Sequence, residues 1–182
     1  MKATETKLKG CFILEPRKYG DSRGYFFESF NEQTFNNLTG SKTHFVQDNQ
    51  SFSTKGVLRG LHAQAGEHAQ AKLVRVLEGK VIDVAVDVRQ NSSTFGEYVA
   101  VELSAENNLQ LFIPRGFLHG FVVLSETATF FYKCDNFYNK ESECGVYPLD
   151  EDLAVDWTIP VEELILSDKD KEALRFKEVF AV

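Results

Sequence analysis

The sequence predicts an all-β fold, a sandwich or small barrel, and three observations carry that expectation. Short stretches alternate between apolar and polar side chains, the period of two that a pleated strand imposes. Polar and glycine-containing turns separate these stretches at close intervals. Helical periodicity stays weak until the C-terminal end. With 182 residues the chain is expected to form one domain, 1–182, long enough to bury a sizeable core. An apolar content of 43%, with 16 phenylalanines, supplies the bulk for that core and excludes a disordered chain.

The elements follow in chain order. "MKATETKLKG" lacks the apolar run of a signal peptide, and no stretch approaches the roughly 20 apolar residues of a membrane-spanning helix. "NEQTFNNL" reads as a short helix. In "KVIDVAVDV", Ile82, Val84, Val86 and Val88 fall on one face and Asp83, Ala85 and Asp87 on the other, the signature of a half-buried strand. With "KLVRVLEG" before it, the turn at Glu78-Gly79 predicts a hairpin. "EYVAVELSAENNLQLFIP" and "GFVVLSETATFFYKCDNFY" predict further strand pairs around polar turns. "SDKDKEALRF" predicts a helix near the C-terminus: Ser167 suits the N-cap, and Asp170 stands three residues on, as in a capping box.

Charge and cysteine usage narrow the function classes. A net charge of −7 counts against a broad basic face for nucleic acid. It leaves room for a small anion held by a few converging arginines. Cys11, Cys134 and Cys144 are odd in number and form no CxxC pair, which is the usage expected of reduced thiols in a cytosolic protein.

The chemistry-bearing stretch is "RGLHAQAGEHAQAKLVRVLEG", Arg59 to Gly79. With "PRGFLHG" downstream it invites comparison with the cupins, whose metal-binding members carry an HxH pair and a nearby glutamate. Here that stretch reads His62-Ala63-Gln64, and His68 is six residues from His62, so no metal is expected. A lone histidine in a β-protein is more often structural than catalytic. However, His62 lies three residues after Arg59 and ten before Lys72. At a barrel mouth, a base and two cations would share one cleft. An exposed strand-end lysine is the ordinary reading of Lys72. Its alternation partners Val74 and Val76 instead point it to an enclosed face, where an ammonium needs an anionic partner. Tyr132 lies among Phe130, Phe131, Phe137 and Tyr138. It is either a core aromatic or, with its hydroxyl in a cleft, a general acid. Asp170 is either a helix cap or the carboxylate that orients a histidine.

Taken together, "DSRGYFFE", "VLRGLH", "AKLVRVLEGKVIDVAVDVRQNSSTFGEYVAVELSAEN", "FIPRGFLHGFVVLSETA", "YKCDNFY" and "LSDKD" resemble the dTDP-4-dehydrorhamnose 3,5-epimerases, in order and over most of the chain. The resemblance implies a cupin-like jelly roll, a homodimer, no cofactor and no metal, and a dTDP-linked 4-keto-6-deoxy sugar as substrate. It implies that His62 is the general base, Asp170 its partner, Tyr132 the general acid on the opposite sugar face, and Lys72 the cation at the enolate oxygen. By the same resemblance Arg23, Glu28, Gln47, Asp48, Asn49, Arg59, His119, Glu143 and Lys169 are ligand-binding positions, and Tyr138 lines the sugar and nucleotide pocket. Two residues depart from the family pattern. Ala63 replaces a large aromatic and Leu118 replaces an alanine, and both are expected to alter pocket shape.

Such a substrate explains the residue set. The protons on C3 and C5 are both α to the C4 ketone, so a base removes either and the charge moves to the ketone oxygen, where a preorganised cation stabilises it. Inversion then needs an acid on the other face. The alternatives are a single-centre epimerase of the same family, a 3,4-ketoisomerase, a non-catalytic sugar-nucleotide-binding cupin, and a metal-dependent cupin oxygenase.

Overall fold

A computed structural model describes residues 1–180; residues 181 and 182, the last two of the expected domain, lie outside the described residues. The strands are β1 (Lys2–Glu5), β2 (Phe12–Glu15), β3 (Tyr19–Asp21), β4 (Gly24–Phe26), β5 (Gln47–Thr54), β6 (Leu58–Gln64), β7 (Lys72–Glu78), β8 (Lys80–Asp87), β9 (Tyr98–Ser104), β10 (Gln110–Ile113), β11 (Phe117–Val123), β12 (Thr127–Cys134) and β13 (Glu143–Gly145). The helices are α1 (Glu32–Thr39), α2 (Asp168–Lys171) and α3 (Phe176–Val179). One sheet runs β1-β2-β10-β7-β12-β5, a second runs β13-β6-β11-β8-β9, and β3 and β4 form a separate hairpin. All strand pairings within these sheets are antiparallel. The all-β, cupin-like sandwich expected from the sequence is the observed architecture, and the short helices lie at "NEQTFNNL" and "SDKDKEALRF" as expected.

The expected hairpins are corrected. β7 and β8 are strands, but they do not pair: β7 lies in the six-stranded sheet and β8 in the five-stranded one. The expected pairs β9–β10 and β11–β12 are split between sheets in the same way. Alternation specifies a strand and its two faces, not its hydrogen-bonded neighbour. The Glu78-Gly79 turn instead carries the chain across the sandwich. Gly79 has φ +80°, and a Cβ there would stand 2.1 Å from the Thr127 carbonyl oxygen, so only glycine fits without displacing backbone.

β8 is also buried on both faces rather than one. Val81 and Ala85 face the inner core with Val74, Val76, Leu111, Ile113, Phe117, Phe121, Val123 and Phe130. Ile82, Val84 and Val86 face outward into a second core, where Leu153, Trp157 and Phe176 of the C-terminal segment cover the five-stranded sheet. A third cluster, Leu14, Phe35, Leu73 and Phe112, seats α1 on the other sheet. Each fully buried Phe, Leu or Val side chain contributes about 1.5–3 kcal/mol. The first of these cores fills the space between the sheets, and the polar residues His62, Lys72, His119 and Tyr132 gather around a cavity at its open end.

Candidate active site

The open end holds a cavity of about 580 Å³ lined by His62, Lys72, His119, Tyr132, Arg59, Asn49 and Asp170, among others. Five strands and one helix converge there. Arg59 and His62 are three residues apart, and in a regular strand they would face opposite sides. Opposite them on β11, His119 pairs with His62 and Phe121 with Arg59, so three residues of β6 span two of its neighbour. This bulge turns both side chains inward. Gly60 occupies it at φ +127°, with a virtual Cβ only 2.6 Å from the Gly120 Cα. The close approach of Gly60 to Gly120 therefore sets the spacing of Arg59 and His62.

His62 Nε2 lies 2.5 Å from Asp170 Oδ1. Asp170 Oδ2 accepts from the Ser167 hydroxyl at 2.8 Å, and the Asp170 N–H donates back to Ser167 Oγ at 3.2 Å. The two readings of Asp170 are thus both realised, one on each oxygen: it serves the cap of α2 and it holds the histidine. Burial pushes its carboxyl up, but His62, Ser167 and Lys169 outweigh that and keep it below the ordinary range. In a neutral imidazole, donation from Nε2–H to the ionised carboxylate would leave Nδ1 with its lone pair. Nδ1 has no partner among the described residues.

Tyr132 and Lys72 stand together across the cavity, the Lys72 ammonium 5.8 Å from the Tyr132 ring centre. Burial, reinforced by Cys134 and opposed by Arg59, raises the phenol, so it holds its proton at neutral pH. Burial lowers Lys72, opposed by Cys134, Asp83 and Cys144. Among the described residues no carboxylate lies within ion-pair distance of Lys72 Nζ. Arg59 Nε donates to Ser53 Oγ at 3.1 Å, a buried hydroxyl that fixes the guanidinium.

The remaining expected positions divide in two. Gln47, Tyr138, Glu143 and Lys169 do not line the cavity but are linked to one another, with Glu143 joined to both Tyr138 and Lys169. Gln47 Oε1 accepts from the Tyr138 N–H at 3.1 Å, and Lys169 Nζ pairs with Glu143 Oε2 at 2.5 Å. Lys169 holds the Glu143 carboxyl below its usual range, and Glu143 raises Lys169. Arg23, Glu28 and Asp48 also lie outside the cavity and are engaged elsewhere. Arg23, on the β3–β4 turn with its side chain 88% exposed, pairs with Asp21. Glu28 is exposed against Asn31, and Asp48 turns to the outer face and binds Lys133 at 2.9 Å.

Ala63 and Leu118 do not line the cavity. Both face the second core, Leu118 fully buried, so these departures alter packing behind the sheet and not pocket shape. Gln64 is likewise turned away, its Oε1 accepting from the Asn139 N–H at 2.8 Å. Sequence reasoning missed Asp83, which holds His119 Nε2 at 2.8 Å, and Ser53. The signal for Asp83 was an aspartate on the face of β8 opposite the valines, a face read as solvated and in fact internal.

The model of the dTDP-4-dehydrorhamnose 3,5-epimerase family matches residues 5–178. The chain belongs to this family. It is 62% identical to the dTDP-4-dehydrorhamnose 3,5-epimerase of Elizabethkingia anophelis NUHP1, whose crystal structure superposes with a TM-score of 0.96 over 99% of this chain and 98% of that one. It is 52% identical to the dTDP-4-dehydrorhamnose 3,5-epimerase of Escherichia coli K12, covering 98% of this chain and 96% of its relative. The dTDP-6-deoxy-D-glucose-3,5-epimerase of Legionella pneumophila Philadelphia 1, solved in complex with dTDP-4-keto-L-rhamnose, is 49% identical. It matches 99% of this chain and 95% of its own with a TM-score of 0.94.

Proposed function

We propose that this protein, as one domain, inverts C3 and C5 of dTDP-4-dehydro-6-deoxy-D-glucose to give dTDP-4-dehydro-L-rhamnose, without metal or cofactor. The observation that carries the reading is the convergence of the Asp170-held His62, the protonated Tyr132 and the unpaired Lys72 on one cavity. His62 Nδ1 takes the proton from C3 or C5. Lys72 meets the charge that moves to the ketone oxygen, where a preorganised cation lowers the barrier most. Tyr132 returns a proton to the opposite face. Arg59, set by Ser53, holds the diphosphate, and this remote binding keeps the sugar between base and acid.

A homodimer fits the same reading. Arg23 and Glu28 are ligand-binding positions by resemblance, yet they sit on or beside an exposed hairpin whose Tyr25 and Phe26 are 60% and 70% exposed. A second copy whose cleft receives this hairpin would use both residues and cover both rings. Among the described residues no helix is long and apolar enough to cross a membrane, and the net charge of −7 disfavours nucleic acid. We assign the enzyme to the cytoplasm on these grounds and on its unpaired cysteines. NMR of the sugar nucleotide incubated with the protein in deuterated water tests the reaction. Deuterium is expected at both C3 and C5; label at one carbon only, at full conversion, would identify a single-centre epimerase.

A further inference from the structure

Beside the His62–Asp170 pair the cavity holds a second pair of the same composition. His119 stands directly opposite His62 in the register of β11 and β6, and its Nε2 lies 2.8 Å from Asp83 Oδ2. The surroundings differ. Asp170 binds on both oxygens, whereas Asp83 Oδ1 is buried with no partner. Asp83 has no exposure at all and, among the described residues, no ion-pair partner within 4.0 Å other than His119. An ionised carboxylate in such a place would keep one oxygen desolvated and unpaired, which is costly. A carboxylic acid that donates to the imidazole leaves only a neutral carbonyl oxygen unmatched.

We propose that Asp83 is a positioning residue that holds the proton between itself and His119 Nε2, so that His119 presents Nδ1–H to the cavity as a second donor, beside Lys72, for the enolate oxygen. The proposal rests on the epimerase reading for its use, and on the geometry alone for the proton. His119 Nδ1 has no partner in the described residues and is not sealed off, since Asp83 Oδ1 is the buried polar side-chain atom left unmatched. The imidazole lines the cavity and its ring stacks 6.0 Å from Phe130, which holds its plane. Whether the shared proton lies nearer oxygen or nitrogen, two protons on the pair leave Nδ1–H as a donor. One proton on the pair would make Nδ1 an acceptor, useless to an oxyanion. Burial favours the neutral form of both partners, raising Asp83 and lowering His119; their mutual attraction opposes both shifts, while Lys72 opposes the first and reinforces the second. The two pairs therefore carry opposite proton order: His62 offers a lone pair and His119 a hydrogen.

The groups acting on Lys72 are Cys134 on the adjacent β12 and, from the other sheet, Asp83 on β8 and Cys144 on β13; Tyr132 lies against it, and His119 feels both Lys72 and His62. Asp83 is the carboxyl group among them, which gives a test independent of turnover. The ligand-free, full-length protein with ¹⁵N-labelled histidine is examined by NMR at neutral pH, His119 being assigned by its loss in His119→Gln. The expected spectrum shows hydrogen on Nδ1 of His119 and none on Nδ1 of His62. A bare Nδ1 on His119 overturns the proposal, whether or not the protein is an epimerase. In turnover, His119→Gln is expected to lower kcat by about 10²-fold with KM changed far less, the loss typical of one oxyanion donor. An equal loss in KM alone would make His119 a mere binding contact. Asp83→Asn, a neutral isostere, is expected to leave the alkaline limb of the pH–rate profile where it stands in the parent enzyme. Movement of that limb to lower pH would mean that a net negative charge had been removed from beside Lys72; the Asp83–His119 pair would then hold one proton rather than two, which overturns the proposal.

Discussion

Asp83 and Asp87 project from the same face of β8, four residues apart, and neither has any exposed surface. Their environments are opposite. Asp87 accepts from the Arg89 N–H, from Arg89 Nε at 2.8 Å and Nη2 at 2.6 Å, and from the hydroxyls of Ser92 and Thr94. Burial raises it, but these partners win and hold its carboxyl far below the ordinary range. Asp83 has one partner, and burial wins. The closed end of the sandwich is thus fully satisfied and the open end is left short by design of its strands: an unpaired ammonium, an unmatched oxygen and two imidazoles. Under-satisfied polar groups cost stability, and they persist where a substrate supplies the missing partners.

The contrast can be broken from the open end first. His62→Asn is expected to lower deuterium exchange at both carbons by about 10²–10⁴-fold, with dTDP affinity and thermal stability near the parent values; exchange at the parent rate would make His62 structural. At the closed end the effect should move from rate to stability. Asp87→Ala strips Arg89, Ser92 and Thr94 of their acceptor and is expected to cost about 3 kcal/mol, the lower range for breaking a buried pair, read from the denaturant midpoint, with kcat unchanged. Tyr132→Phe is expected to reduce inversion by about 10²-fold while wash-in with retained configuration continues, because His62 and Lys72 still form the enolate. Normal inversion by the Phe variant would return Tyr132 to the aromatic core.

The smallest effect lies in the pH dependence of stability, and it has opposite signs at the two aspartates. The folded value of Asp87 lies below its unfolded value near 3.9, so its contribution is complete above that pH and is lost as pH falls toward the folded value. The folded value of Asp83 is raised, so its protonated form stabilises the fold below about pH 3.9 and that stabilisation is lost as pH rises through the folded value. Each limb has a slope of about 1.4 kcal/mol per pH unit. Asp87→Asn should flatten the acid limb, and Asp83→Asn should flatten the loss on the neutral side. Identical profiles for the two variants would dissolve the comparison.

Much of the fold and site could be read from residue order alone, and the failures share a cause. Alternation located β7, β8, β11 and β12 and turned Lys72 inward, because the faces of a strand follow from its own side chains. It did not identify partners, because pairing depends on strands far away in the chain. For the same reason the inner face of β8 was mistaken for a solvated one, and Asp83 went unnoticed. The spacing of Arg59 and His62 pointed to a shared cleft, yet the bulge that makes it possible exists only once β11 lies alongside. Asp170 was legible twice over, as a cap from its offset to Ser167 and as a histidine partner from resemblance, and its two oxygens allow both.

The turns that cross from sheet to sheet have a consequence for how the chain acquires its shape. Among the described residues, the paired strands that are neighbours in sequence are β1–β2, β3–β4 and β8–β9. A nascent chain of the first hundred residues contains β2, β5, β6 and β7, but β10, β11 and β12, against which they must pair, have not yet been made. Neither sheet can assemble progressively from one end, so loop closure is paid before most contacts form, and refolding is expected on the slow millisecond-to-second scale of non-local β topologies. Truncation anywhere before β12 would leave β5 and β7 as open edges, and such fragments should aggregate rather than persist as folded halves.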